Sequence, residues 1–347
     1  MKSRFFITLS LYYFLFFALI GDYVIFLPKY FQSIGFSPFE IGIIFAMMPI
    51  ARFITPFIFL KKPLIKKDFL ISLIISTLAS FLILTKNFFF IILAFFLIGA
   101  SFSVVFPYIE AIAIAKLNTR YGQARLFGSI GFMLFGIIFS YIKVNLVYAF
   151  IILMTITNLV SLYFLEDKTI KKSNAPIDFK KAWRFWLAVI LMQISFGGFY
   201  NFFTIYEISH GIDKEYIGWL FAIGVSAEIL VFIFQHKFID KFSPIFWIKI
   251  SILLTAIRWI VLNFFASNIF IVALTQLIHA FSFAIFHTSA LLYLSKTYEN
   301  KTLAQQFYAG IAYGAAAFIG SIISGMLYGE NLFLCEGLIA LIGFLIL

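Results

Sequence analysis

Apolar runs separated by short polar breaks occupy almost the whole chain. Twelve of them are long enough, or nearly so, to cross about 30 Å of hydrocarbon. The first half holds Phe5–Leu27, Pro38–Leu60, Asp68–Thr85, Phe88–Ala115, Leu126–Ile142 and Leu146–Leu165. The second holds Phe185–Ile208, Ile217–Gln235, Ile245–Phe265, Ile269–Ser295, Phe307–Tyr328 and Leu332–Leu347, the last marginally short. Membrane strands would show weaker, alternating ten-residue signals. In lipid the backbone of a spanning segment must satisfy its own polar groups, so these runs predict helices and an all-α membrane protein. Lys2 and Arg4 ahead of the first run resemble the start of a secretory leader. That run is of spanning length and has no small-x-small pattern around Ala18–Gly21, so it reads as the first helix.

Composition strengthens this picture and removes alternatives. Of 347 residues, 63% are hydrophobic and only 12% charged, whereas soluble domains have about 45–50% apolar and about 25% charged residues. A soluble domain of this length could not hide so much apolar surface. The net charge of +11 sits in short loops between apolar spans, which argues against a nucleic-acid partner. Cys335 is the only cysteine, so no intramolecular disulfide and no multi-cysteine metal or redox site can form. The chain has no GxxxxGK[ST] run, which argues against ATP-driven transport by this chain alone. HExxH, CxxC and GxSxG are also absent, so neither an enzyme nor a bound cofactor or metal is expected.

The placement of Lys and Arg sets an orientation. With the N-terminus inside, nineteen basic residues fall on the inner side, against Lys29, Lys86, Lys143 and Lys214 on the outer side. This asymmetry predicts that both termini are cytoplasmic. The longest polar stretch, Glu166–Arg184, is too short for a soluble domain and reads as a cytoplasmic linker. It separates a six-helix half at 1–165 from a second at 185–347.

The halves also resemble each other. At an offset of 176 residues, the segment from Gly21 to Arg52 lies over Gly197 to Glu228 with ten identities, including Gly21/Gly197, Tyr30/Tyr206, Gly35/Gly211 and Gly42/Gly218. An even number of helices separates the copies, so they share one orientation, as in transporters built from parallel repeats.

Several strings narrow the family. The tenth segment carries QLIHAFSFAIFH (Gln276–His287), the ninth Arg258-Trp259, the eighth Ala227-Glu228 and the seventh QISFGGFYNFF (Gln193–Phe203). The fourth ends near Pro107-Tyr-Ile-Glu110, ahead of YGQARLFGSIGF (Tyr121–Phe132). Together these resemble the phenylpropionate-permease branch of the major facilitator superfamily, near the lactose-permease and nucleoside–proton symporter groups. The resemblance implies the major facilitator fold, twelve transmembrane helices in two six-helix halves with substrate near midplane between them. It also implies a bacterial inner-membrane location and a monomer working on a small solute. The glycine motif usual after the second helix is reduced here to KKPLIKKD (Lys61–Asp68), which departs from the family's inner gating pattern.

Charges inside the spans are the candidate functional groups, because a mid-bilayer Asp, Lys or Arg costs about 2.5–3.5 kcal/mol on insertion. Asp22, Arg52, Glu110, Glu228 and Arg258 all stand there. Depth at about 1.5 Å per residue pairs Arg52 with Glu110 and Glu228 with Arg258. The second pair reads as structural; the first fits packing or a substrate or gating role equally. Asp22, five residues from the outer end of its span, could simply border water. His279 and His287, eight residues and so about 80° apart on one helix, suit proton coupling because imidazole titrates near physiological pH. Interhelical hydrogen bonding is the plainer role for them, as it is for Gln193 and Asn201 on the seventh segment. Gln276 belongs with them through the tenth-segment string. The substrate and proton pathway expected on these grounds comprises Asp22, Arg52, Glu110, Gln193, Asn201, Gln276, His279 and His287. The glycines of the fifth and eleventh segments suit close backbone approach between moving halves, or ordinary packing.

The leading expectation is a secondary transporter, proton-coupled, taking up a small organic solute such as an aromatic acid. Uptake of a nucleoside or oligosaccharide and drug efflux compete with it. From another class, so does a non-transporting membrane sensor that retains the fold.

Overall fold

A computed structural model describes residues 2–59, 65–117, 120–165 and 177–347. Lys61–Leu64 of the reduced glycine motif, and residues 166–176 of the expected linker, lie outside the described residues. Eleven described helices are long and apolar enough to cross a membrane, and a shorter apolar helix follows them. They are α1 (Ser3–Ser33), α2 (Pro38–Phe59), α3 (Lys66–Thr85), α4 (Phe88–Leu117), α5 (Tyr121–Tyr141), α6 (Leu146–Phe164), α7 (Phe179–Ser209), α8 (Lys214–Lys237), α9 (Pro244–Phe265), α10 (Ile269–Thr297), α11 (Leu303–Leu327) and α12 (Leu332–Ile346).

The chain forms two compact units, Met1–Lys172 and Ser173–Leu347. In the first unit α1 packs along α5 and α6, α2 along α4, and α3 along α4 and α6. The second repeats the pattern: α7 packs along α11 and α12, α8 along α10, and α9 along α10 and α12. The repeat extends to the turns. Gly35 and Gly211, aligned in the sequence, both take positive φ (100° and 92°) where α1 and α7 end. Glycine, which has no Cβ, adopts that conformation freely, whereas other residues lose about 1–2 kcal/mol.

Capping and small residues set the element ends and the close crossings. Asn145, Ser243, Asn268 and Asn300 accept backbone N–H groups at the starts of α6, α9, α10 and α11, satisfying donors that the helices leave over. A Cβ on Gly99 would lie 2.6 Å from the Met48 backbone, so α4 and α2 meet there backbone to backbone. Gly131 meets Phe14 of α1 in the same way, and Gly320 meets Ile194 of α7. These crossings lie within each unit, so packing inside a unit accounts for the fifth- and eleventh-segment glycines that face them. Asn158 of α6 donates to the Leu73 carbonyl, Ser76 Oγ and Thr77 Oγ1, bonding α6 to α3.

Away from their ends, four of the described helices depart from regular α geometry. π-helical segments occupy Asp22–Phe26 in α1, Ala280–Ile285 in α10 and Ile311–Ala316 in α11. The fourth departure is a turn at Ser195–Phe196, which breaks α7 in two just before Gly197-Gly198. Such interruptions concentrate at functional sites, because they free backbone groups and re-aim side chains.

Candidate functional site

In the first unit the polar centre is Glu110 on α4. Tyr13 of α1 donates its hydroxyl to Oε1 at 2.6 Å, Tyr121 of α5 donates to Oε2, and Arg125 Nε of α5 lies 3.7 Å from Oε1. The guanidinium sits over three rings, 4.2 Å from the centroid of Phe17, 5.2 Å from Tyr13 and 5.4 Å from Phe106. A weakly hydrated, planar cation on aromatic faces keeps its charge with little bulk water. The Glu110 carboxylate expected opposite Arg52 is paired with Arg125 instead. Arg52 is exposed on α2 and makes contacts of its own, and Arg125 takes the carboxylate. The reason is a boundary: α5 begins at Tyr121, five residues ahead of the sequence expectation, which brings Tyr121 and Arg125 into its first turns.

Asp22 is fully buried at the start of the α1 π segment. Neither carboxyl oxygen has a hydrogen-bond partner among the described residues, so proximity to water does not account for it.

In the second unit the centre is Arg258 on α9, fully buried. Its Nη2 donates to Gln276 Oε1 at 2.8 Å and its Nη1 lies 3.1 Å from His279 Nδ1, both on α10. The opposite ring nitrogen of His279 is 3.8 Å from Glu228 Oε2 on α8. The expected Glu228–Arg258 pair is therefore bridged by an imidazole, and the polar chain runs Glu228–His279–Arg258–Gln276 across three helices. Phe199 and Trp259 flank the guanidinium at 4.5 and 4.4 Å, and Phe196 packs against Trp259. Arg258 Nε and Trp259 Nε1 are buried donors with no acceptor among the described residues.

His287 takes a separate position, with Nδ1 2.9 Å from the Tyr313 hydroxyl at the α11 π segment. An uninterrupted helix would set His279 and His287 about 80° apart. Instead Phe283 stacks between them, 6.0 Å from each ring with planes inclined by 16° and 6°. The π segment adds a residue to the turn and lines up successive four-residue steps in one column. Gln193 and Asn201 are both buried on α7, one on each side of its break, and Asn201 Nδ2 has no acceptor among the described residues.

Three residues of these centres, and two buried carboxyls outside them, are not among the residues expected from the sequence. Tyr13 is one tyrosine among seventeen, and Tyr121 and Arg125 stand ahead of the fifth apolar run. Glu207 on α7 and Glu336 on α12 are the buried carboxyls; the depth test marks Glu336, four residues into its span, but not Glu207, one residue from the end of its own.

Comparisons with known proteins agree with this architecture. The sequence model of the MFS_1 like family matches residues 6–334. A probable 3-phenylpropionic acid transporter of Escherichia coli (strain K12) is 24% identical over 367 residues, covering 96% of this chain and 94% of that protein. The uncharacterized transporter YwbF of Bacillus subtilis (strain 168) is 27% identical over 282 residues, covering 72% and 69%. Among solved structures, the nucleoside transporter NupG superposes with a TM-score of 0.81 at 17% identity over 98% of this chain and 97% of that one. A bacterial homologue of the iron transporter ferroportin, inward-facing, superposes at 0.77 with 11% identity over 99% and 98%. The chain is a multi-pass membrane protein that belongs to the MFS_1 like family and has the major facilitator fold of transporters rather than enzymes.

Proposed function

We propose that the protein is a proton-coupled symporter of a small aromatic carboxylate. The observation that carries the reading is the chain Glu228–His279–Arg258–Gln276, a buried cation with two neutral donors or acceptors and a carboxylate beyond an imidazole. A substrate carboxylate matches a guanidinium geometrically, and the flanking Phe196, Phe199 and Trp259 suit an aromatic body. Of the two imidazoles on α10, whose ordinary titration range suits a coupled proton, the reading gives the proton to His287 and substrate binding to His279. Arg125 over Phe17, with Glu110 and the two tyrosines, offers the same chemistry in the first unit. Asp22 supplies a buried acid, and Arg52, Gln193, Asn201 and His287 complete the proposed pathway. The phenylpropionic acid transporter's name points to the same substrate class.

Symport of a monoanion with one proton moves no net charge. Each pH unit across the membrane then drives about tenfold accumulation, or about 1.4 kcal/mol. We place the protein as a monomer in a bacterial cytoplasmic membrane, with both termini and the 166–184 linker inside, on the basic-residue asymmetry.

The test is uptake of 3-phenylpropionate into liposomes holding the purified protein, with the external pH recorded. Alkalinisation that accompanies uptake supports the reading. His279→Ala is expected to weaken substrate binding. His287→Ala is expected to spare counterflow and abolish accumulation down a pH gradient. Uptake without alkalinisation, or accumulation unchanged in both variants, overturns the coupling. A thermal-shift screen that stabilises the protein with nucleosides or oligosaccharides and not with aromatic acids overturns the substrate class.

A further inference from the structure

Glu336 on α12 is 1% exposed, and one hydrogen bond holds it: Gly198 N–H donates to Oε1. Gly198 is the second residue of the C-terminal part of α7, which restarts at Gly197 after the break at Ser195–Phe196. Its N–H is among the first donors of a thirteen-residue helix, which no earlier carbonyl satisfies, and the positive end of the helix dipole favours an acid there. The other oxygen, Oε2, is buried without a partner among the described residues.

The repeat gives this acid a counterpart. The offset of 176 residues that aligns the halves sets Asp22 opposite Gly198. A Cβ built on Gly198 would lie 2.7 Å from both carboxylate oxygens of Glu336, so the carboxylate fills the space where a side chain at 198 would begin. Each unit thus has a buried carboxyl at the same register, just past Gly21 or Gly197, where the first helix of the unit is distorted. In one unit the first helix carries the acid itself; in the other α12 supplies it.

We propose that Glu336 is a proton-binding site of the second unit, equivalent to Asp22 in the first. The helices packed on α12 are α7, α9 and α11. Their titratable and charged groups are Lys180, Lys181, Arg184, Tyr200, Tyr206 and Glu207, then Lys249 and Arg258, then Tyr308 and Tyr313. None of these bonds to or pairs with Glu336. With no cation to neutralise it, a buried carboxyl exchanges charge by taking up a proton. A metal ion would need several oxygen or nitrogen ligands, and the described residues hold no cluster of three such side chains. Protonation forms an O–H bond at Oε2, cancels the charge that the α7 helix end attracts, and leaves Oε1 able to accept from Gly198. The hold of α12 on the broken helix therefore weakens as the proton arrives. Its consequence for coupling rests on the symport reading above, while the site itself does not.

The experiment is infrared difference spectroscopy of the full-length protein in liposomes, titrated from acid to alkaline with protons as the only ligand. The wild type should show a titrating carboxylic C=O band that Glu336→Gln lacks. Gln keeps a carbonyl to accept from Gly198, so the variant retains the contact and loses only the proton. The paired variant Glu336→Ala with Gly198→Asp returns a carboxyl to the same place and should restore the band. A spectrum unchanged in Glu336→Gln, or a band that the paired variant fails to restore, overturns the proposal. Loss of the band in Glu336→Gln and its return in the paired variant support the site even where wild-type uptake carries no proton, the outcome that would overturn the symport reading alone.

Discussion

Arg258 has no access to water, so its stability depends on the groups that receive its hydrogen bonds. Those groups are His279 and Gln276, while Glu228 lies against the far side of the imidazole. Removing one partner of a buried charge costs about 3–5 kcal/mol in soluble settings, because the remaining charge is uncompensated. Arg258→Gln and His279→Ala should therefore lower the melting temperature more than Glu228→Gln. In a double-variant cycle, Arg258 should couple to His279 by more than about 1 kcal/mol and to Glu228 by less. Equal coupling to both would mean that the carboxylate reaches the guanidinium directly. The five charges expected inside the spans could be read residue by residue, since each breaks an apolar run. Their partners could not, because an α5 that starts five residues earlier than its apolar run brings Arg125 to Glu110.

At the scale of elements, glycine has two different tasks, and they should fail differently. Gly131 and Gly320 let backbones touch, so Gly131→Val and Gly320→Val should separate α1 from α5 and α7 from α11, with loss of folded protein in detergent. Gly35 and Gly211 have open space around them and only a positive φ to keep. Gly35→Ala and Gly211→Ala should each cost about 1–2 kcal/mol by thermal unfolding and leave the fold intact. A loss of fold in the alanine variants equal to that in the valine variants would show that the turns carry packing as well as strain. The spans themselves were legible from hydropathy because lipid demands long uninterrupted apolar helices. The π segments and the α7 break were not, since a run of apolar residues looks the same whether its turns hold 3.6 residues or more.

For the whole molecule the charge asymmetry makes a direct prediction. With Cys335→Ser as background, single cysteines at Ser209 and Ser243, both exposed, should react differently with an impermeant thiol reagent. Ser209→Cys, after α7, should label in cells with only the outer membrane permeabilised. Ser243→Cys, before α9, should label only once the inner membrane is opened. The reverse pattern would invert the topology.

The sequence by itself determined the membrane class, the helical spans and the repeat, because each follows from composition and spacing along the chain. It also marked most of the acids, bases and histidines that lipid would exclude unless they served a purpose. Tertiary structure alone decided which groups meet. Tyr13, Tyr121 and Arg125 converge on Glu110, an imidazole stands between Glu228 and Arg258, and Glu336 reaches Gly198 across 138 residues of chain. The reason is geometric. Hydropathy reports how deep a residue lies, whereas pairing depends on helix rotation, and one added residue in a π turn changes that rotation without changing the apolar pattern.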